Sequence, residues 1–176
     1  MFVVLSSVNK AIPQSQGIQI MDTMLNNQTV VIIGGSSGVG LAVAKLIAAQ
    51  GAKITIASRS QERLEKAAQE IGANVEIGII NTLEESSVKE FFANLNDIDH
   101  LLCFAGDTMG GGVLTADIAT ARNAMESKFW GQFYVGRYGG VKIKPNGSLT
   151  FTSGSGPRPP VRNSNSRCEH CCQRAC

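Results

Sequence analysis

Three things are in short supply in this sequence: an excess of charge, cysteine in the body of the chain, and long apolar runs. Lysine and arginine number 16 against 14 aspartates and glutamates, a formal net charge of +2, and the basic residues are scattered. That balance points away from nucleic acid and from an acidic membrane surface as partners. No apolar run approaches the length of a membrane span. Met1-Phe2-Val3-Val4-Leu5 is too short for a secretory signal, and no positive charge precedes it. Of the five cysteines only Cys103 stands in the body, while Cys168, Cys171, Cys172 and Cys176 crowd the C-terminal end. A secreted scaffold spreads its cysteines along the chain, so the expected compartment is reducing cytoplasm. No metal site is assigned. At 176 residues, 43% of them hydrophobic, the chain suffices for one buried core. Residues 1–28 read as a polar, flexible leader, with Met21 or Met24 as an alternative start.

What the chain does have is Val30-Val31-Ile32-Ile33 running straight into Gly34-Gly35-Ser36-Ser37-Gly38-Val39-Gly40. The apolar run reads as a strand buried on both faces, as in a parallel sheet. The glycines permit a sharp turn and let a pyrophosphate approach the N–H groups of the next helix. From there the period becomes helical, with Val39, Val43, Leu46 and Ile47 recurring on one face. A glycine turn alone is equally the mark of an unliganded tight turn. Here Lys53-Ile54-Thr55-Ile56-Ala57-Ser58-Arg59 supplies the return strand that a βαβ unit requires. Strand, helix and return strand together make a dinucleotide-binding unit, with Gly34, Ser36, Ser37, Gly38, Val39 and Gly40 against the cofactor.

The two periods keep alternating. Leu64, Ala67, Ala68 and Ile71 form a helical face closed by Gly72, and residues 74–80 read as a third strand. Thr82 and Glu85 have the spacing of a capping box, ahead of a helix buried along Val88, Phe91, Phe92 and Leu95. Residues 99–106 are a fourth strand ending in a glycine turn. A glycine-rich loop follows, then a longer helix with Met125, Phe129 and Phe133 on one side. Pro145-Asn146-Gly147 turns into a fifth strand over 148–152. This alternation predicts an α/β fold: a Rossmann-type doubly wound parallel sheet in a single domain over 29–160, strand order 3-2-1-4-5, ending after the fifth strand.

The order of segments resembles the short-chain dehydrogenase/reductase family over about Thr29 to Pro160. The family's Thr-Gly-x-x-x-Gly-x-Gly turn is matched by Gly34, Gly38 and Gly40, with Ile33 in place of threonine. Its Asn-Asn-Ala-Gly is matched by Ala105-Gly106, with Cys103 and Phe104 in place of the asparagines, which adds Ala105 and Gly106 to the cofactor site. The strand leading to the family's catalytic serine is matched by Gly147 to Ser153. The resemblance implies hydride transfer between a nicotinamide and a small carbonyl or alcohol substrate, in relatives that are homo-oligomeric. An acidic residue at the end of the second strand would hold a ribose 2′-hydroxyl. This chain has Ser58-Arg59 there, a hydroxyl beside a guanidinium fork suited to a phosphate, so the expected cofactor is NADP rather than NAD. Asn81 stands where the family places an aspartate near the adenine, and its amide oxygen is expected to accept from the adenine amino group.

By the same resemblance a serine orients the substrate oxygen, a tyrosine exchanges its proton and a lysine lowers the tyrosine pKa. Ser153 is the candidate serine, with Ser155 the alternative. Tyr138 and Lys142 have the Tyr-x-x-x-Lys spacing but precede the serine strand, whereas the family's pair follows it, so no catalytic tyrosine or lysine is assigned. Lys128 matches the family's structural asparagine and is either a surface residue or an ammonium near the site. Residues 161–176 have no apolar period. They read as a zinc knuckle, as a disordered tail or as the product of a reading-frame change. Shifted by one nucleotide the tail becomes small and apolar, which favours the third reading, yet no shift yields a tyrosine between Asn163 and Ala175. The expected protein is an NADP-dependent short-chain oxidoreductase, inactive in this chain for want of its C-terminal part. The alternative is a non-catalytic NADP-binding sensor or regulatory protein.

Overall fold

A computed structural model describes residues 2–4 (backbone), 25–72, 75–106, 114 and 117–153. In chain order the elements are β1 (Phe2–Val4), β2 (Thr29–Ile33), α1 (Gly38–Ala49), β3 (Lys53–Ser58), α2 (Gln61–Ile71), β4 (Val75–Ile79) and α3 (Glu85–Ala93). They continue with β5 (Ile98–Cys103), α4 (Ile118–Met125), a π-helical segment Glu126–Trp130, α5 (Gly131–Gly139), a short 3₁₀ turn and β6 (Ile143–Thr152). The sheet order is β1-β6-β5-β2-β3-β4. Counted from β2, the five parallel strands follow the expected 3-2-1-4-5. The difference lies at the edge: β1, within the segment read as a polar, flexible leader, pairs antiparallel to β6, Phe2 opposite Thr152. Its backbone takes up the edge hydrogen bonds that β6 would otherwise present to solvent.

The sequence of β2 explains the double winding. Side chains alternate across a strand, so Val31 and Ile33 enter one core with Val88, Phe92 and Val135. Val30 and Ile32 enter the other with Ala44, Ile54 and Leu64. Val30 to Ile33 are all fully buried, which is why that stretch reads as an unbroken apolar run rather than an alternation. Phe92 is the largest fully buried side chain and stacks edge-on against Phe91 at 5.2 Å. Phe92→Ala is expected to cost about 3–5 kcal/mol of unfolding free energy in denaturant titration.

The helices dock by faces that their apolar period alone did not specify, and one local expectation is corrected. The face of α1 that packs on the sheet is Gly40, Leu41, Ala44, Ile47 and Ala48, while Val39 and Leu46 stand out in solvent. The crossing helix needs small residues where it lies closest to the strands, so the larger side chains are displaced outward. Likewise Met125, Phe129 and Phe133 are more than 45% exposed. The buried row of that helix is Ser127, Gly131, Val135 and Gly139. A Cβ on Gly139 would lie 2.4 Å from Leu101 Cδ2 and 2.7 Å from Phe92 Cζ, so close approach selects glycine there. Finally, no Thr82–Glu85 capping box forms: Glu84 is the N-cap, without a side-chain bond. Asn81 Oδ1 instead accepts from Leu83 N (3.2 Å), and Ser87 Oγ accepts from Asn81 N (3.0 Å), while Thr82 is buried against Gly131.

Candidate cofactor and active site

The cradle is built from the carboxyl end of β2. Phe104 N donates to Ile33 O (2.8 Å) and Gly34 N to Ala57 O (2.7 Å), so three strand ends stay bonded up to the turn. Gly34 then takes a φ of +86° and Gly38 a φ of +55°, backbone that suits glycine. The following helix runs so close that a Cβ on Gly40 would sit 2.1 Å from Gly34 O. Ser37, the N-cap of α1, makes no side-chain cap bond. The N–H groups of the first turn, with the positive end of a twelve-residue helix behind them, therefore face the cavity uncapped.

That cavity measures about 580 Å³. One end is walled by Ser58, Arg59, Ser60 and Arg63, the floor by Gly34, Ser36, Ser37, Val39 and Gly40, and the other end by Gly106, Ser127, Thr152 and Ser153. Of the sequence-assigned residues, Gly34, Ser36, Ser37, Val39, Gly40, Ser58, Arg59, Ala105, Gly106 and Ser153 converge on it. Gly38 serves the turn rather than the wall. Asn81 is diverted: Nδ2 donates to Glu84 Oε1 (2.7 Å) and Oδ1 takes the Leu83 N–H, leaving Ile80, Thr82 and Leu83 as the wall there. Ser155 and the cysteine-rich tail lie outside the described residues. No metal-binding group of His, Cys, Asp or Glu forms among those that are described.

Sequence reasoning missed Arg63, Ser127 and Thr152. Arg63 was legible in part, because Ser60 caps α2 by accepting from Arg63 N (3.4 Å), which places position 63 on the first turn facing the β3 end. Ser127 was not legible. It reaches the wall through a π-helical widening of the helix, a local irregularity found disproportionately at functional sites.

The far end is organised from the same helix. Lys128 Nζ lies 3.5 Å from Thr152 Oγ1, which donates to Cys103 O (3.3 Å), and Gln132 Nε2 donates to Thr152 O (3.0 Å). The Lys128 stem lies across Gly106, where a Cβ would meet Lys128 Cδ at 2.5 Å. Burial pushes the Cys103 thiol up to about 11, so the neutral thiol is a packing group rather than a nucleophile. Tyr138 and Lys142 lie elsewhere. Tyr138 Oη donates to Glu85 Oε1, and Lys142 Nζ donates to Leu95 O (2.8 Å) near the amino ends of β5 and β6. The Glu85 carboxylate holds the Tyr138 hydroxyl above its ordinary pKa, the opposite of activation.

A parallel sheet whose first crossover opens on a bare glycine cradle defines a Rossmann-type dinucleotide-binding protein, and the residues present fit that ligand. The profile of the short chain dehydrogenase family matches residues 28–144. The chain belongs to that family. It is 32% identical over 161 residues to the short-chain dehydrogenase/reductase ATR9 of Stachybotrys chlorohalonatus, covering 78% of this chain and 60% of that one. A solved short chain dehydrogenase/reductase family protein superposes with a TM-score of 0.64 at 28% identity, over 67% of this chain and 50% of the other. A serine dehydrogenase solved in its closed form with NADP+ gives 0.58 at 25%, over 62% and 46%. The chain thus spans between about half and three fifths of the length of these relatives.

Proposed function

We propose that residues 29–153 hold NADP(H) for hydride exchange with a small carbonyl or alcohol compound, as a short-chain oxidoreductase of the cytoplasm. The observation that carries the choice of NADP is the end of β3. Ser58, Arg59, Ser60 and Arg63 wall the cavity there, and no aspartate or glutamate lines it among the described residues. A 2′-phosphate gains charge-assisted bonds from two guanidiniums, whereas a bare ribose hydroxyl finds no carboxylate acceptor. The pyrophosphate then lies on the first turn of α1, and the nicotinamide half extends toward Gly106, Thr152 and Ser153. The neighbour solved with NADP+ supports the same reading. Bound there, the cofactor supplies the hydride; Ser153 orients the oxygen of the reacting compound.

Among the described residues no tyrosine stands at that end, so binding is expected to exceed turnover in this chain. Titration of the purified, folded chain with NADPH and NADH tests the proposal. NADPH is expected to raise the melting temperature and to bind tighter than NADH by at least about tenfold, the effect of one charge-assisted bond. No response to either nucleotide would remove the cofactor reading. A preference for NADH would remove the choice of NADP.

A further inference from the structure

We propose that Lys128 makes the site discriminate between the two redox states of the cofactor, favouring the reduced nicotinamide over the oxidised one. This rests on the proposed placement of the dinucleotide. The Lys128 ammonium adjoins the end of the cavity opposite Arg59 and Arg63 through two residues that wall that end: its stem is laid across Gly106, and its Nζ lies 3.5 Å from Thr152 Oγ1. Thr152 is itself immobilised. Gln132, one turn further along the helix, binds its carbonyl oxygen at 3.0 Å, and its hydroxyl is committed to Cys103 O. Two side chains from one helix therefore grip both oxygens of the residue immediately before Ser153.

No carboxylate among the described residues pairs with Lys128, and no aspartate or glutamate lines the cavity. The Cys103 thiol nearby is buried and neutral at physiological pH. An oxidised nicotinamide ring carries a positive charge and a reduced ring carries none. A fixed ammonium near the ring therefore repels the first and leaves the second unaffected. The adenosine end, on the far side of the glycine cradle, is the same in both. The site accordingly holds the reduced cofactor in preference and fills with the hydride-carrying form when both forms are present at equal concentration.

The test is calorimetric titration of the full chain with NADPH, NADP+ and adenosine 2′,5′-bisphosphate, which occupies only the adenosine end. The wild-type chain is expected to hold NADPH tighter than NADP+. Lys128→Met should move the ratio of the two dissociation constants about fivefold toward NADP+, the size expected for unit charges roughly 10 Å apart at an effective dielectric of roughly 40. Binding of the bisphosphate should not change. Lys128→Arg keeps the charge and should keep the ratio. Lys128→Gln keeps a donor to Thr152 without the charge and should behave like Lys128→Met, which separates charge from support of the strand. A wild-type preference for NADP+, or an unchanged ratio in the Met and Gln variants, overturns the inference while leaving the cofactor reading intact. An equal loss for all three ligands overturns it as well, because that is the mark of a purely structural lysine. Failure of the folded wild-type chain to bind any of them removes the cofactor reading and this inference together.

Discussion

Gly40→Ala is expected to abolish tight nucleotide binding and to lower the melting temperature. Helix propensity predicts the opposite sign, since alanine is favoured over glycine by about 1 kcal/mol in a helix interior. The deciding observation is that the added Cβ would lie 2.1 Å from Gly34 O and 3.2 Å from Gly35 Cα. Those are backbone atoms of the cradle itself and have no rotamer to yield. Either α1 lifts off β2 or the Gly34 peptide turns. Both shift the N–H groups that would meet the pyrophosphate. Overpacking of this kind costs about 1–3 kcal/mol, so a loss of about a hundredfold in NADPH affinity is expected by calorimetry. Gly38→Ala is the contrast: nothing lies within 4 Å of a Cβ there, and only the φ of +55° is strained. Its effect on the melting temperature should be visibly smaller. A stabilised Gly40→Ala chain that still binds NADPH would show that the helix does not approach the turn this closely.

Arg59→Glu is expected to reverse the cofactor preference. Arg59 stands immediately after β3 and walls the cavity beside Ser58 and Arg63. Removing a charge-assisted bond costs about 1.5–3 kcal/mol, and a carboxylate in its place also repels a 2′-phosphate while accepting from a ribose hydroxyl. NADPH affinity should fall by about ten- to a hundredfold and NADH affinity should hold or rise, measured as paired titrations. Equal losses for both nucleotides would place Arg59 in folding rather than in 2′-phosphate recognition. Arg63→Ala should lower NADPH affinity less, since Ser58 and Arg59 remain.

Most of the central architecture was legible before any coordinates. Val30 to Ile33 is apolar at every position because both faces of β2 are covered, and such a strand announces a parallel sheet without a neighbour being known. The glycine cradle was equally plain, since a side chain at Gly34 or Gly40 would collide with the backbone that faces it. Periodicity marked the helices without saying which face is buried. Val39, Leu46, Met125, Phe129 and Phe133 are apolar and helically spaced, yet they face solvent. Their helices dock through small residues, Gly40 and Ala44 in one case, Ser127, Gly131 and Gly139 in the other. Hydrophobicity records how much side chain there is to bury, not how near a backbone must come.

Thr82 departs from its expected role for a different reason. It carries a hydroxyl suited to a helix cap. The turn between β4 and α3 uses the Asn81 amide for Leu83 and Glu84 instead, and buries Thr82 under Gly131. A polar side chain with several possible partners takes the one that the folded backbone brings nearest.

The strands themselves, the cradle and the basic residues after β3 follow from local sequence, because each depends on neighbours within a few positions along the chain. The joining of Lys128 and Gln132 to Thr152, across 24 and 20 residues, does not. Nor does the arrival of Ser127 at the cavity or of β1 at the sheet edge. Those contacts exist only once a helix has packed across the sheet and a distant strand has found its register, and no periodicity in the chain encodes a meeting between segments so far apart.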